Sequence, residues 1–72
     1  MKREFDHAAE VMKRRLEEQN ITCAELSKRT LIDAGTLRGI VTGKRKSIST
    51  RNLAALARYY DIPIQKFIDE IA

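Results

Sequence analysis

Seventy-two residues, 43% of them hydrophobic, with one Pro and three Gly, make one small domain around one core and exclude a linker or a disordered tail. A single cysteine, Cys23, excludes an internal disulfide and a cysteine-based metal site, and no apolar run approaches the ~20 residues of a membrane helix. A net charge of +4 directs attention to polyanions.

Ala, Leu, Ile, Glu, Lys and Arg dominate, which favours helix. The charged opening MKREFDHAAE has no signal-peptide core, so a soluble, cytoplasmic, all-α domain over residues 1–72 is expected. The first predicted helix runs from about Phe5 to Gln19. Phe5, Ala8, Ala9, Met12 and Leu16 share one apolar face, and Asn20 tolerates the left-handed backbone at its end. Glu10 with Arg14, and Lys13 with Glu17, stand four apart with opposite charge. His7 falls on the polar side with no second ligand at metal spacing, and is expected to be solvated.

TCAE at 22–25 is a capping box that starts a second helix, with Ile21 and Leu26 spaced as a hydrophobic staple. That helix runs to about Thr30. After a short connection, Asp33 caps a third helix, whose inward residues are Leu37, Ile40 and Val41; Gly43 supplies the positive φ that ends it. KRKSI reads as a basic loop. Ser49 or Thr50 caps a fourth helix with Leu53, Leu56, Ala57 and Tyr60 inward, leaving Tyr59 off that face as a candidate partner contact. Pro63 suits the first turn of a fifth helix striped by Ile64, Phe67, Ile68 and Ile71.

Charge is unevenly placed along these helices. Residues 1–20 hold five basic and five acidic side chains; residues 21–60 hold eight and two, a balance of +6; residues 61–72 hold one and three, a balance of −2. A solvated Lys/Arg surface is one reading of that middle segment, and a surface meeting a polyanion is the other. Two short helices joined by a tight connection inside it, over about residues 22–43, describe a helix-turn-helix.

The chain also resembles the lambda repressor-like helix-turn-helix domains, the Cro/C1 or XRE family. The resemblance rests on Leu16, Ile21-Thr22, Leu26-Ser27, Ile32-Asp33, Thr36-Leu37, Ile40, Gly43-Lys44, Leu53, Leu56-Ala57, Tyr60, Ile62 and Phe67, in order and with spacing intact. It implies a compact five-helix domain, with the helix-turn-helix at helices 2 and 3, that binds operator DNA, commonly as a dimer, to regulate transcription. There are three departures. Ser27 stands where the family often has Ala, and needs a hydrogen-bond partner. Leu31 stands where Gly is common, which suggests a turn built differently. Cys23 replaces a Gln that commonly contacts phosphate.

In the family's geometry positions 34, 35 and 39 face the bases, and here they are Ala34, Gly35 and Gly39. Ala34 suits a thymine methyl, and the glycines permit close approach, but none makes a bidentate contact. Either the reading groups lie on the flanks or the helix reads nothing. The resemblance implies Thr36, Arg38, Thr42, Lys44 and Arg45 as flank candidates, with Lys2 and Arg3 as a short arm. Phosphate contacts are expected from Lys44, Lys46, Ser47, Arg51 and the N–H groups at the Thr22 helix start. About five or six neutralised phosphates give a log–log salt slope near −5. Lys28 and Arg29 also fit as solvated cations at a helix C-terminus, and Arg58 and Lys66 as surface residues.

No catalytic constellation is visible. Asp69 and Glu70 are adjacent and diverge on a helix, and no phosphate loop or nucleophile elbow occurs. Cys23 reads as a half-buried structural thiol, with a redox role as the other reading. No enzyme activity, cofactor, small-molecule ligand or membrane partner is expected. Ile68 and Ile71 either finish the core or form a dimer seam. Two functions remain: a sequence-specific DNA-binding regulator whose partner is double-stranded DNA, as monomer or homodimer, or a protein-interaction module on the same fold, antitoxin or anti-repressor-like.

Overall fold

The computed structural model describes residues 2–72, and its element order is β1 (Lys2–Glu4), α1 (Ala8–Gln19), α2 (Cys23–Thr30), α3 (Ala34–Val41), β2 (Ser47–Ser49), α4 (Thr50–Tyr59) and α5 (Ile64–Ile71). The five expected helices are present in order, so the all-α class holds. The additions are two three-residue strands, paired antiparallel with Lys2 opposite Ser49, Arg3 opposite Ile48 and Glu4 opposite Ser47. This ribbon corrects two expectations. The KRKSI segment is not wholly a loop, and the backbone of Lys2 and Arg3 is a paired strand rather than a free arm; the side chains of these two lie outside the described residues.

The ribbon exists because Ile48 and Phe5 are apolar anchors, both buried in the core. Phe5 reaches that position from an extended segment, which is why α1 starts at Ala8 and not at Phe5. The Phe5 N–H continues the ladder to the Lys46 carbonyl at 3.0 Å, and the His7 N–H donates to the Ile71 carbonyl at 2.9 Å. Val11, absent from the predicted apolar face, is buried beside Ala8, Met12 and Leu16, while Ala9 is half-buried.

Caps fall where the side chains for them stand. The Thr22 hydroxyl accepts from the Glu25 N–H at 3.2 Å, Asp33 from the Thr36 N–H at 3.1 Å and Ser49 from the Asn52 N–H at 3.2 Å. The Glu25 carboxylate lies 4.0 Å from Arg29, one turn on. Asn20 and Asp61 take the left-handed conformation after α1 and α4, and each next residue's N–H closes back five residues, as in a Schellman stop. Pro63 stands at the cap of α5, one place before its first turn.

The turn between α2 and α3 retains its left-handed residue even though that residue is a leucine. Leu31 has φ 63° and ψ 18° and is 91% exposed. Its neighbours hold it there. The Leu31 N–H donates to the Ser27 carbonyl at 2.8 Å. The Thr30 hydroxyl donates to the Leu26 carbonyl at 2.8 Å and accepts from the Ile32 N–H at 3.3 Å. Ser27 finds the partner it needs in the Ile32 carbonyl, and Ile32 is a core residue. The expectation of a differently built turn is therefore corrected.

The core is a single cluster centred on Met12, Leu26, Leu37, Leu56 and Phe67. α1 packs on α3 and α5, α2 on α3 and α4, and α4 on α5. Ile68 and Ile71 are 8% and 0% exposed, so both complete this core within one chain; a dimer seam through them is not presented. The exposed apolar residue of α5 is Ile64, at 38%. No described helix is long and apolar enough to cross a membrane.

Candidate nucleic-acid interface

Leu37 and Ile40 of α3 are buried, which turns Gly35, Arg38, Gly39 and Thr42, at i, i+3, i+4 and i+7, onto the opposite stripe. The stripe is exposed except at half-buried Gly39. Beside it runs an open groove of ≈ 440 Å³ lined by Gly35, Gly39, Lys44, Arg45, Lys46 and Ser47. Helix face and basic segment are thus one surface.

The basic segment is held on both sides. The Arg45 N–H donates to the Gly39 carbonyl at 2.9 Å, and the Lys46 carbonyl accepts from Phe5 at 3.0 Å. Gly43, at φ 81°, makes the reversal that allows this return. The side chains of Lys44, Arg45 and Lys46 are exposed, while Ser47 is half-buried at the start of β2.

The two glycines of α3 do different things. A Cβ at Gly35 would lie 2.9 Å from the Asp33 carboxylate oxygen that caps the helix, so Gly35 leaves room for the cap. A Cβ at Gly39 would lie 3.3 Å from the Cβ of Arg45 and 3.6 Å from its Nε, so the arginine stem rests on the bare helix there. The Thr42 hydroxyl donates to its own helix, to the Arg38 carbonyl at 2.9 Å and the Gly39 carbonyl at 3.3 Å, leaving its lone pairs to face outward.

Other expected contacts line separate grooves. Thr36 and Arg51 line a second groove, with Leu31, Asp33, Asn52 and Arg58. Thr22, at the start of α2, lines a third with Lys13, Leu16 and Val41. Ala34 is half-buried in the first turn of α3. Arg38, Lys44, Arg45, Lys46 and Arg51 have no ion-pair partner among the described residues, and no Asp or Glu stands between Asp33 and Asp61. Chemically, this is a cationic surface on a bare helix. Among the described residues no three His, Cys, Asp or Glu side chains cluster to hold a metal.

Three arginines elsewhere are internally engaged, whereas Lys13, Lys28, Arg58 and Lys66 have no ion-pair partner among the described residues. Arg14 and Arg15 both donate to Glu70, at 3.0 and 2.7 Å, in place of the expected Glu10–Arg14 pair. Arg15 also lies 4.4 Å over the Tyr60 ring. Tyr59 is not a free partner contact: its hydroxyl accepts from Gln19 at 3.0 Å and Arg29 at 2.9 Å, joining α1, α2 and α4. That hydrogen bond raises the Arg29 pKa. Burial pushes the Tyr60 hydroxyl up to about 12 against the pull of the Arg15 charge. Of these arrangements only the charges were visible in the sequence; nothing in residue spacing pairs Arg14 with Glu70.

A family model for the Cro/C1-type helix-turn-helix DNA-binding domain matches residues 11–71. No curated protein and no solved structure gives a significant match.

Proposed function

The chain belongs to the Cro/C1-type helix-turn-helix DNA-binding domains, and from that premise we propose that it is a cytoplasmic, sequence-specific transcriptional regulator that binds operator DNA. α3 lies in the major groove with its Gly35–Thr42 stripe toward the bases, and α2 crosses the backbone. Lys44, Lys46, Ser47, Arg51 and the N–H groups at the start of α2 take phosphates. Ala34, Thr36, Arg38, Thr42 and Arg45 are within the region that meets base edges. Two copies on half-sites about one helical turn apart give an operator of matching symmetry.

The observation that carries this reading is the single groove in which the two glycines of α3 adjoin Lys44, Arg45 and Lys46, three cations without an ion-pair partner among the described residues. Gly35 and Gly39 leave the backbone of α3 accessible between the arginines, and unpaired cations release counterions from DNA. Titration with duplexes at two salt concentrations tests it, followed by selection of bound sites from a random duplex pool. A slope near −5 and an enriched site are expected. No binding at low salt rejects the proposal, and equal binding to every sequence removes its specific part.

A protein-interaction module on the same fold is the second reading. It rests on the glycines of α3 and on the apolar last helix; with Ile68 and Ile71 buried, exposed Ile64 and Leu31, the latter in a costly backbone conformation, are the apolar side chains that favour it.

A further inference from the structure

We infer that Arg45 is the residue that reads a guanine in the operator, and that Gly39 is the seat that aims it. The inference rests on the DNA-binding reading above and goes beyond it by assigning one base contact to one side chain. Its starting point is a contact between two residues six apart. The Arg45 Cβ, Nε and Cδ lie 3.3, 3.6 and 4.0 Å from where a side chain on Gly39 would begin. The arginine therefore lies across the outward stripe of α3 instead of extending from the loop into solvent.

Its backbone is anchored to the same place, through the Arg45 N–H on the Gly39 carbonyl at 2.9 Å. The next residue is fixed from the other side, by Phe5 on the Lys46 carbonyl at 3.0 Å. Arg45 has no ion-pair partner among the described residues, so its guanidinium fork remains available. One turn back, Gly35 leaves the floor of the shared groove open.

The chemistry follows from this placement. A guanidinium offers parallel N–H donors that match guanine O6 and N7, and arginine on guanine is the commonest specific major-groove contact. A free arginine loses rotamer freedom when it docks, whereas one already laid on the helix loses less. The bare helix and the flanking cation are then two parts of one reader. Gly39 is a positioning residue, because a methyl group there meets the Arg45 stem.

The test is site selection from a random duplex pool, with salt titration on the winning site. It uses the whole chain and its Arg45→Lys, Gly39→Ala and Lys66→Gln variants. Lysine keeps the charge but not the fork, so Arg45→Lys is expected to keep the salt slope and lose about 10- to 100-fold of guanine preference at one position per half-site. Gly39→Ala is expected to weaken the same position at a temperature where circular dichroism shows the variant folded, since the better helix propensity of Ala is set against its 3.3 Å approach to the Arg45 Cβ. Lys66→Gln, on the exposed side of α5, removes one charge away from the surface and is expected to change neither.

An enriched site that Arg45→Lys reads with undiminished guanine preference overturns the inference and leaves DNA binding intact. A Gly39→Ala variant with unchanged preference overturns the role of the glycine. A parent chain that enriches no site overturns both this inference and the function on which it rests.

Discussion

Arg14 and Arg15 end on Glu70 and Arg29 ends on Tyr59, while Arg38, Arg45 and Arg51 end on no partner among the described residues. The two sets have the same side chain at comparable positions on helices and loops. They differ in what the fold brings opposite them. α5 carries a carboxylate back to α1, and α4 carries a phenol to α2, whereas nothing acidic follows Asp33 until Asp61. Arginine count alone therefore says little about function; lack of a counter-charge narrows the set to Arg38, Arg45, Arg51 and Arg58 among the described residues, and position beside the outward stripe of α3 narrows it further.

The largest test of this difference is charge reversal on each side. Changing Lys44, Arg45 and Lys46 together to Glu is expected to lower DNA affinity by three orders of magnitude or more at moderate salt, roughly as expected when about three favourable phosphate neighbours become repulsive. Because these residues are exposed, the melting temperature should barely move. Fluorescence anisotropy with a labelled duplex reads the first quantity and circular dichroism the second. Retained binding in a folded triple variant would put the DNA face elsewhere.

On the other side the balance is reversed. Glu70→Gln leaves Arg15 half-buried with a weaker partner, and is expected to cost about 1 kcal/mol, a fall of roughly 4–8 °C in melting temperature for a domain this size. DNA affinity at a temperature where the variant is folded should equal that of the parent. A loss of affinity larger than the unfolded fraction explains would mean that the Arg14–Arg15–Glu70 group communicates with α3.

Most of the fold was legible in the sequence because helical periodicity and capping residues are local signals. Thr22, Asp33 and Ser49 cap where their types and spacings predict. The ribbon was not legible, since three-residue strands are too short for alternation to register and its anchors, Phe5 and Ile48, are single apolar residues. The site was legible in its residue types and not in its assembly. Gly39 and Arg45 read as unrelated features, a helix weakness and a loop cation. Only the return of the chain at Gly43 shows that one lies on the other. The hydrogen bonds of Tyr59 were not legible for the same reason: its partners, Gln19 and Arg29, come from distant elements.

A smaller effect separates the turn from both arginine groups. Leu31 adopts φ 63° with its side chain 91% exposed, so it bears the steric cost of the left-handed region and gains no burial in return. Leu31→Gly removes that cost, partly offset by a more flexible unfolded chain, and a gain of about 1 kcal/mol is expected from urea unfolding. A loss of stability instead would mean that the leucine packs in solution. Unchanged DNA binding would place it off the nucleic-acid surface, although it shares a groove with Thr36 and Arg51.

The smallest effect lies at alkaline pH, on the side with the engaged cations. The buried Tyr60 hydroxyl has no hydrogen-bond partner among the described residues, and the Arg15 guanidinium lies 4.4 Å from the ring centre. Burial dominates and raises the pKa to about 12, with Tyr59 and Glu70 adding to the rise and Arg15 opposing it. A group that holds its proton more tightly when folded stabilises the fold below its unfolded pKa, about 10 for tyrosine. That contribution is lost as pH climbs from there through the folded value. Partial exposure reduces its size, so the sign is the useful prediction. Stability of the parent should fall more steeply between about pH 10 and 12 than that of Tyr60→Phe, which has no proton to lose. Lysine deprotonation contributes to both curves and cancels in their difference. Urea unfolding of the two chains at several pH values across this window measures that difference. Parallel curves would mean that water reaches the hydroxyl and that burial does not raise its pKa.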